Sequence, residues 1–142
     1  MFQRINGHVA IAGALAQTDI ERLAQQGYRT IIDLRTDDEP VPHGLRPVEV
    51  GECAANLNLH YQQIPITLAR VDTRCINRVR GALERAETPV LLHCASGRRA
   101  GFFALIHLGC QGRWSAEKCL SHAPCIGLDL ESMPAMRDLL VQ

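Results

Sequence analysis

The chain has 142 residues, enough for one domain over its whole length, with a real hydrophobic core. Hydrophobic residues make up 46% and charged residues 21%, and Lys plus Arg balances Asp plus Glu at 15 each, which argues against general binding to nucleic acid or to a membrane surface. No apolar run approaches the roughly 18 residues of a membrane span.

Near the N-terminus the apolar run Val9 to Ala16 is too short for a secretory signal, and only Arg4 precedes it with charge. It reads instead as an edge strand, "HVAIAG", followed by a turn. "TDIERLAQQG" has the pattern of a helix, with Thr18 and Glu21 spaced as a capping box and Gly27 as the stop. "YRTIIDLR" is a buried strand rich in β-branched residues. The prolines of "TDDEPVPHGLRP" make that stretch a loop. "VEVGECAANLN" reads as a short helix and "LHYQQIPI" as a strand ending at Pro65.

In "TRCINRVRGALERA" the apolar residues Ile76, Val79, Leu83 and Ala86 share one helical face. Pro89 to Leu92 form a buried strand, and "AGFFALIHLG" is a helix apolar nearly all round, as at the centre of a fold. "SAEKCLSHA" and "LESMPAMRDLL" close the chain as helical segments, the second interrupted at Pro134. Alternating strands and helices argue for an α/β layer fold with a mainly parallel sheet, whose ligands sit beyond the carboxyl ends of the strands. The six cysteines fall mostly in apolar helical patterns without a secretion signal, so they read as reduced thiols of a cytoplasmic protein.

The chemistry concentrates in "TPVLLHCASGRRAG". Cys94 ends a strand and stands before a helix, and a thiol is a nucleophile only as thiolate. The helix N-terminus, a nest of N–H groups from Ala95 to Arg99 curled around Gly97, and the guanidinium groups of Arg98 and Arg99 all favour an anion there. Small residues at Ala95, Ser96 and Gly97 let the backbone approach a ligand closely. The set suits attack by Cys94 on a phosphate ester, and equally a persulfide carried on Cys94. A buried structural cysteine beside two solvated arginines is the bland alternative. Two arginines at the wrong end of a helix for its dipole speak against it.

At these residues the chain resembles the protein-tyrosine-phosphatase superfamily. More closely, it resembles the bacterial family named for the phosphatase-like domain of beta-lactamase hydrolase-like proteins, some of whose members are labelled sulfurtransferases. The resemblance runs from "VAIAGALAQTDIERLAQQGYRTIIDLR" through "LHYQQIPI" and "PVLLHCASGRRAG" to "WSAEKC" and "GLDLESMPAMRDLL". It implies a three-layer, dual-specificity-like fold around a mainly parallel sheet of about four or five strands. It also implies Cys94 as nucleophile, Arg99 as the oxyanion-binding arginine and His93 as the residue that orients the loop and lowers the thiol's pKa.

The wider phosphatase pattern has five residues between cysteine and arginine; here Arg99 leaves four, and Ala100 stands where the longer loop would place the arginine. The shorter spacing is also similar to rhodanese-like sulfurtransferases, although those end in a further strand where this chain ends in helices. Ala100 also lacks the hydroxyl that assists the leaving thiolate in many relatives. In the related phosphatases the general acid follows the "IPI"-like strand. Asp72 is the only carboxylate there, with a helix N-cap as its other reading. Asp37, Asp38 and Glu39 are weaker acid candidates, and Arg35 reads as facing the same cleft or as part of a surface ion pair.

His107, Cys110, Cys119, His122 and Cys125 have spacings that could suggest zinc, but no tight knuckle joins them, and neither a metal nor another cofactor is expected. Cys75 and Cys110 are conceivable resolving thiols for Cys94. The expected function is hydrolysis of a phosphate monoester, on a small molecule or a protein, through a phosphocysteine at Cys94. Sulfur transfer between a donor and an acceptor through a Cys94 persulfide is the first alternative, and a non-enzymatic phosphate-binding module the second. With 4% aromatic residues, nothing marks a deep phosphotyrosine slot.

Overall fold

Strands β1 (Phe2–Arg4), β2 (Val9–Ala12), β3 (Thr30–Asp33), β4 (His60–Gln63) and β5 (Val90–His93) form one sheet in the order β1-β2-β5-β3-β4. The computed structural model describes residues 2–141. Strands β2 to β5 run parallel, and β1 alone is antiparallel, pairing Phe2 with Ala12 and Arg4 with Ala10. The branched apolar runs of β2, β3 and β5 are buried at every residue, as strands covered on both faces must be. The polar β4, HYQQ, takes the sheet edge, where alternate side chains meet solvent.

Helices α1 (Gln17–Gln25) and α2 (Pro47–Asn56) cover one face, placing Ile20, Leu23, Val50 and Ala54 against Ala10, Ile31 and Leu91. Helices α3 (Thr73–Arg85), α4 (Arg98–Cys110), α5 (Ala116–His122) and α6 (Pro134–Val141) cover the other. There Ile76, Val79, Phe102 and Leu105 pack on Ile11, Ile32 and Leu92. The expected three-layer α/β architecture around a mainly parallel sheet is the one observed, with five strands. Among the described residues no helix is long and apolar enough to cross a membrane.

Several local expectations shift. β2 is not an edge strand, because β1 covers its outer side; three residues carry too little pattern for β1 to show in the sequence. Helix α1 begins at Gln17, so Thr18 and Glu21 lie inside it and the Asp19 carboxylate takes the capping role, accepting from the Ala16 N–H at 2.8 Å. The segment around Pro134 divides into a short 3₁₀ turn, Leu130–Ser132, and α6, which Pro134 opens from the position that proline tolerates best.

Candidate active site

β5 lies between β2 and β3 and is hydrogen-bonded to both, so its carboxyl end opens at the middle of the sheet where the strand order reverses. Cys94 follows immediately. Its N–H donates to Ala12 O at 3.1 Å, while the Leu34 N–H donates to His93 O at 2.8 Å, so backbone from both neighbours pins the strand end. Strand alternation sends Leu92 and Cys94 toward α3 and α4, and Leu91 and His93 toward the opposite face.

After Cys94 the chain turns at Gly97, which has φ +90° and forms the start of α4. A left-handed residue is needed to reverse the loop there, and glycine adopts it without a Cβ clash. No side chain caps α4. Instead the N–H groups of Gly97 and Ala100 donate to Cys94 Sγ at 3.1 and 3.4 Å. The orphan donors of a helix start thus converge on sulfur, an arrangement suited to negative charge. Ser96 Oγ accepts weakly from the Arg98 N–H at 3.4 Å, and Ala95 and Ser96 are exposed. Cys94 itself is fully buried beneath them.

Arg98 faces solvent and Arg99 turns inward. Arg99 Nη1 donates to Ile66 O at 2.7 Å, to Glu39 Oε2 at 2.7 Å and, more distantly, to Leu34 O at 3.3 Å; Nη2 donates to Glu39 Oε1 at 2.5 Å. A guanidinium has five N–H bonds in two usable forks. The fork engaged by Glu39 leaves Nε and the second N–H of Nη2 outside that pair, and the Cys94 sulfur neighbours the same guanidinium. Hydrogen bonding to Glu39 foremost, and the neighbouring Cys94 sulfur in addition, outweigh burial and raise the Arg99 pKa further. Burial pushes the Glu39 carboxyl up, but hydrogen bonds from Arg99 and from the Thr36 N–H prevail and bring it down to about 2.

His93 and Gly13 set the loop's floor. His93 Nδ1 lies 2.6 Å from Gly13 O. Burial pushes the imidazole down to about 4 against the pull of the Asp33 carboxylate, so the ring is neutral near pH 7 and donates from Nδ1. A neutral ring on the far side of the strand lends the thiol no charge, and its contact with Gly13 O ties the end of β5 to the end of β2. A Cβ on Gly13 would stand 3.1 Å from Ser96 C and 3.3 Å from Ala95 O, so this glycine permits the close approach of β2 and the loop.

The loop carrying Glu39 has its own anchor. Asp33 and Arg35, at 0% and 1% side-chain exposure, form a two-pronged ion pair, with Nε to Oδ1 at 3.0 Å and Nη2 to Oδ2 at 2.8 Å. Arg35 also donates to Leu45 O, and Tyr61 OH donates to Asp33 Oδ2. Hydrogen bonds from Arg35 overcome burial and keep the Asp33 carboxyl below its ordinary range. The expectation that Arg35 faces the cleft or joins a surface pair is thereby corrected: the pair is internal.

Asp72 is exposed and caps α3, accepting from the Cys75 N–H at 3.0 Å, and that bond holds its carboxyl below the usual range. The six cysteines are free thiols. Among the described residues no three His, Cys, Asp or Glu side chains converge as metal ligands.

Residues 2–109 match the family described as the phosphatase-like domain of beta-lactamase hydrolase-like protein. The chain belongs to that family. A beta-lactamase hydrolase-like protein of Xylella fastidiosa is 29% identical over 127 residues, which cover 89% of this chain and 29% of the relative. The chain thus spans less than a third of that curated relative. Among solved structures, a candidate phosphatase from Neisseria meningitidis superposes with a TM-score of 0.81 at 22% identity, covering 96% of each chain. P. aeruginosa TpbA in complex with pTyr superposes with a TM-score of 0.76 at 19% identity, covering 98% of this chain and 82% of TpbA. At these identities the superpositions establish the fold, a protein-tyrosine-phosphatase-like α/β sandwich.

Within this family frame, two positions with structural roles at the site were not singled out for them from sequence. Gly13 closes a strand that pairs with the one bearing the cysteine, a signal visible only once that pairing is known. Glu39 stood among three consecutive acids, and only the folded loop distinguishes the one that reaches Arg99.

Proposed function

We propose that the protein hydrolyses a phosphate monoester through a phosphocysteine at Cys94. The observation that carries this reading is the convergence on one sulfur of the Gly97 and Ala100 N–H groups, with the Arg99 guanidinium beside them. Cys94 Sγ attacks phosphorus, and the backbone N–H groups of Ala95 to Arg99 together with Arg99 receive the equatorial oxygens, where charge accumulates. The complex of TpbA with pTyr supports a phosphorylated substrate. The cleft beside Arg99 has Pro40 and Leu68 for apolar walls and no aromatic side chain in its lining, so the reading extends to phosphate monoesters as a class.

The decisive experiment is incubation with a chromogenic phosphate ester and, separately, with thiosulfate, each followed by acid quench and mass spectrometry of the Cys94 peptide. Turnover of the ester with a transient phosphate adduct is expected, and Cys94→Ser should abolish both. A stable sulfur adduct from thiosulfate, with no ester turnover, would replace hydrolysis by sulfur transfer.

A further inference from the structure

We propose that Asp38 is the general acid of the reaction at Cys94, an assignment that rests on the phosphatase reading. Departure of an alkoxide needs a proton on the leaving oxygen, from a group that shares the cleft with the oxyanion-binding residue. Beside Arg99 lies a cleft of about 410 Å³ whose lining includes Thr36, Asp38, Glu39, Pro40 and Leu68. Two carboxylates border it, and Glu39 is committed to the Arg99 guanidinium through both oxygens.

The neighbouring acids are otherwise engaged. Asp37 is not in the lining and accepts from Gln63 Nε2 at 2.9 Å. Asp72 is absent from the lining as well and is turned onto the Cys75 N–H. Asp38 has a different arrangement. Its Oδ1 takes the Thr36 hydroxyl at 2.6 Å, and among the described residues Oδ2 has no partner and the side chain no cation. One oxygen fixes the carboxyl's orientation while the other is left for the substrate. The Thr36 hydroxyl also lies 3.1 Å from Glu39 Oε2, so the acid and the support of Arg99 share one small residue.

The steps balance without an outside reagent. Cys94 Sγ forms a bond to phosphorus as the P–O ester bond breaks. The bonding pair goes to the leaving oxygen, which takes the proton from Asp38 Oδ2 and departs as an alcohol. The Asp38 carboxylate, still bound by Thr36, then takes a proton from water as that water's oxygen attacks phosphorus. The S–P bond breaks, its pair returns to sulfur, inorganic phosphate leaves, and Asp38 is again protonated.

Leaving-group dependence tests this directly. Asp38→Asn and Asp72→Asn are compared with the parent on phenyl phosphate, whose leaving group needs protonation, and on 4-nitrophenyl phosphate, whose leaving group needs it far less. Asp38→Asn should lower turnover of phenyl phosphate by roughly 10²–10³-fold and of 4-nitrophenyl phosphate by less than about tenfold. Asp72→Asn should change both by less than about threefold, since asparagine caps a helix about as well as aspartate. An equal loss on both esters in Asp38→Asn, or the leaving-group-dependent loss appearing in Asp72→Asn, overturns the assignment while leaving the phosphatase reading intact. A parent enzyme that hydrolyses neither ester removes the reading and the assignment together. Asp38 is exposed, and an unchanged thermal unfolding curve confirms that the variant is folded.

Discussion

Glu39 and Arg99, 60 residues apart in the chain, lie fork to fork, with both carboxylate oxygens on both terminal guanidinium nitrogens. The pair fixes the orientation of the guanidinium, which Ile66 O holds from a further direction. Removing the charge of Glu39 should therefore misdirect Arg99. Glu39→Gln is expected to cut ester turnover by roughly 10–100-fold, with phosphate inhibition weakened alongside. A variant with parent-like turnover would show that Ile66 O alone suffices.

The two adjacent arginines should separate cleanly. Arg99→Lys keeps a charge but loses the planar fork that grips Glu39 and that the proposed reading also assigns to an anion. It should lower kcat by roughly 10²-fold or more. Arg98→Ala removes an exposed side chain and should change kcat by less than about threefold. Steady-state kinetics of both variants decide the matter, and the reverse order of severity would place the wrong arginine in the site.

Gly13 and Gly97 are exposed to different penalties. At Gly97 the backbone has φ +90°, so alanine there should cost about 1–2 kcal/mol in urea unfolding. At Gly13 the backbone is ordinary, but a Cβ would press on Ser96 C at 3.1 Å. Gly13→Ala should accordingly displace the loop and weaken inhibition by phosphate by roughly tenfold, with less effect on stability than Gly97→Ala. Equal phosphate inhibition of parent and Gly13→Ala would show that the loop does not depend on this contact.

Acid should destabilise the protein in two windows. His93 has a folded pKa of about 4 against 6.5 when free, so the unfolded chain binds more protons between those values and stability falls as pH drops through them, levelling below about 4. Glu39 sits at about 2 against 4.5 when free, so its contribution is present above 4.5 and is lost as pH falls toward 2. Urea unfolding at a series of pH values should show a reduced upper slope in His93→Asn and a reduced lower slope in Glu39→Gln. His107, also depressed chiefly by burial, preserves part of the upper slope. A His93 variant with the full parental slope would mean that the ring is already charged in the fold.

The internal pair Asp33–Arg35 should be costly to break and cheap to replace. Asp33→Ala strands the buried Arg35 guanidinium and is expected to cost about 3–5 kcal/mol. Replacing both, as Asp33→Leu with Arg35→Met, should recover much of that loss in the same unfolding measurement. Poor recovery would point to the further bonds, Tyr61 OH to Asp33 and Arg35 to Leu45 O, as the larger contribution.

Periodicity alone revealed most of the framework. The buried runs of β2, β3 and β5 and the one-sided helix α3 are local patterns, and the Cys94 loop combines a strand end, a glycine and a helix start within eight residues of sequence. What stayed hidden depends on contacts between distant segments. Asp33 ends β3 and Arg35 lies two residues on, and nothing local in the sequence shows that both side chains are buried together. Asp72 satisfies the rules for a cap and for an acid equally well, and only the bond to the Cys75 N–H shows which geometry its carboxyl adopts.

The central position of β5 has a further consequence. Cys94 and His93 are attached to a strand paired on both sides, the part of a sheet whose amide hydrogens exchange with solvent last. Glu39 and Asp38 belong to the irregular stretch between β3 and α2, which has no ladder of its own. On warming, the two halves of the site should therefore part company early. The segment between β3 and α2 would exchange its amides and loosen while the strand keeps the sulfur in place, so activity should fade some degrees below the temperature at which the sheet melts.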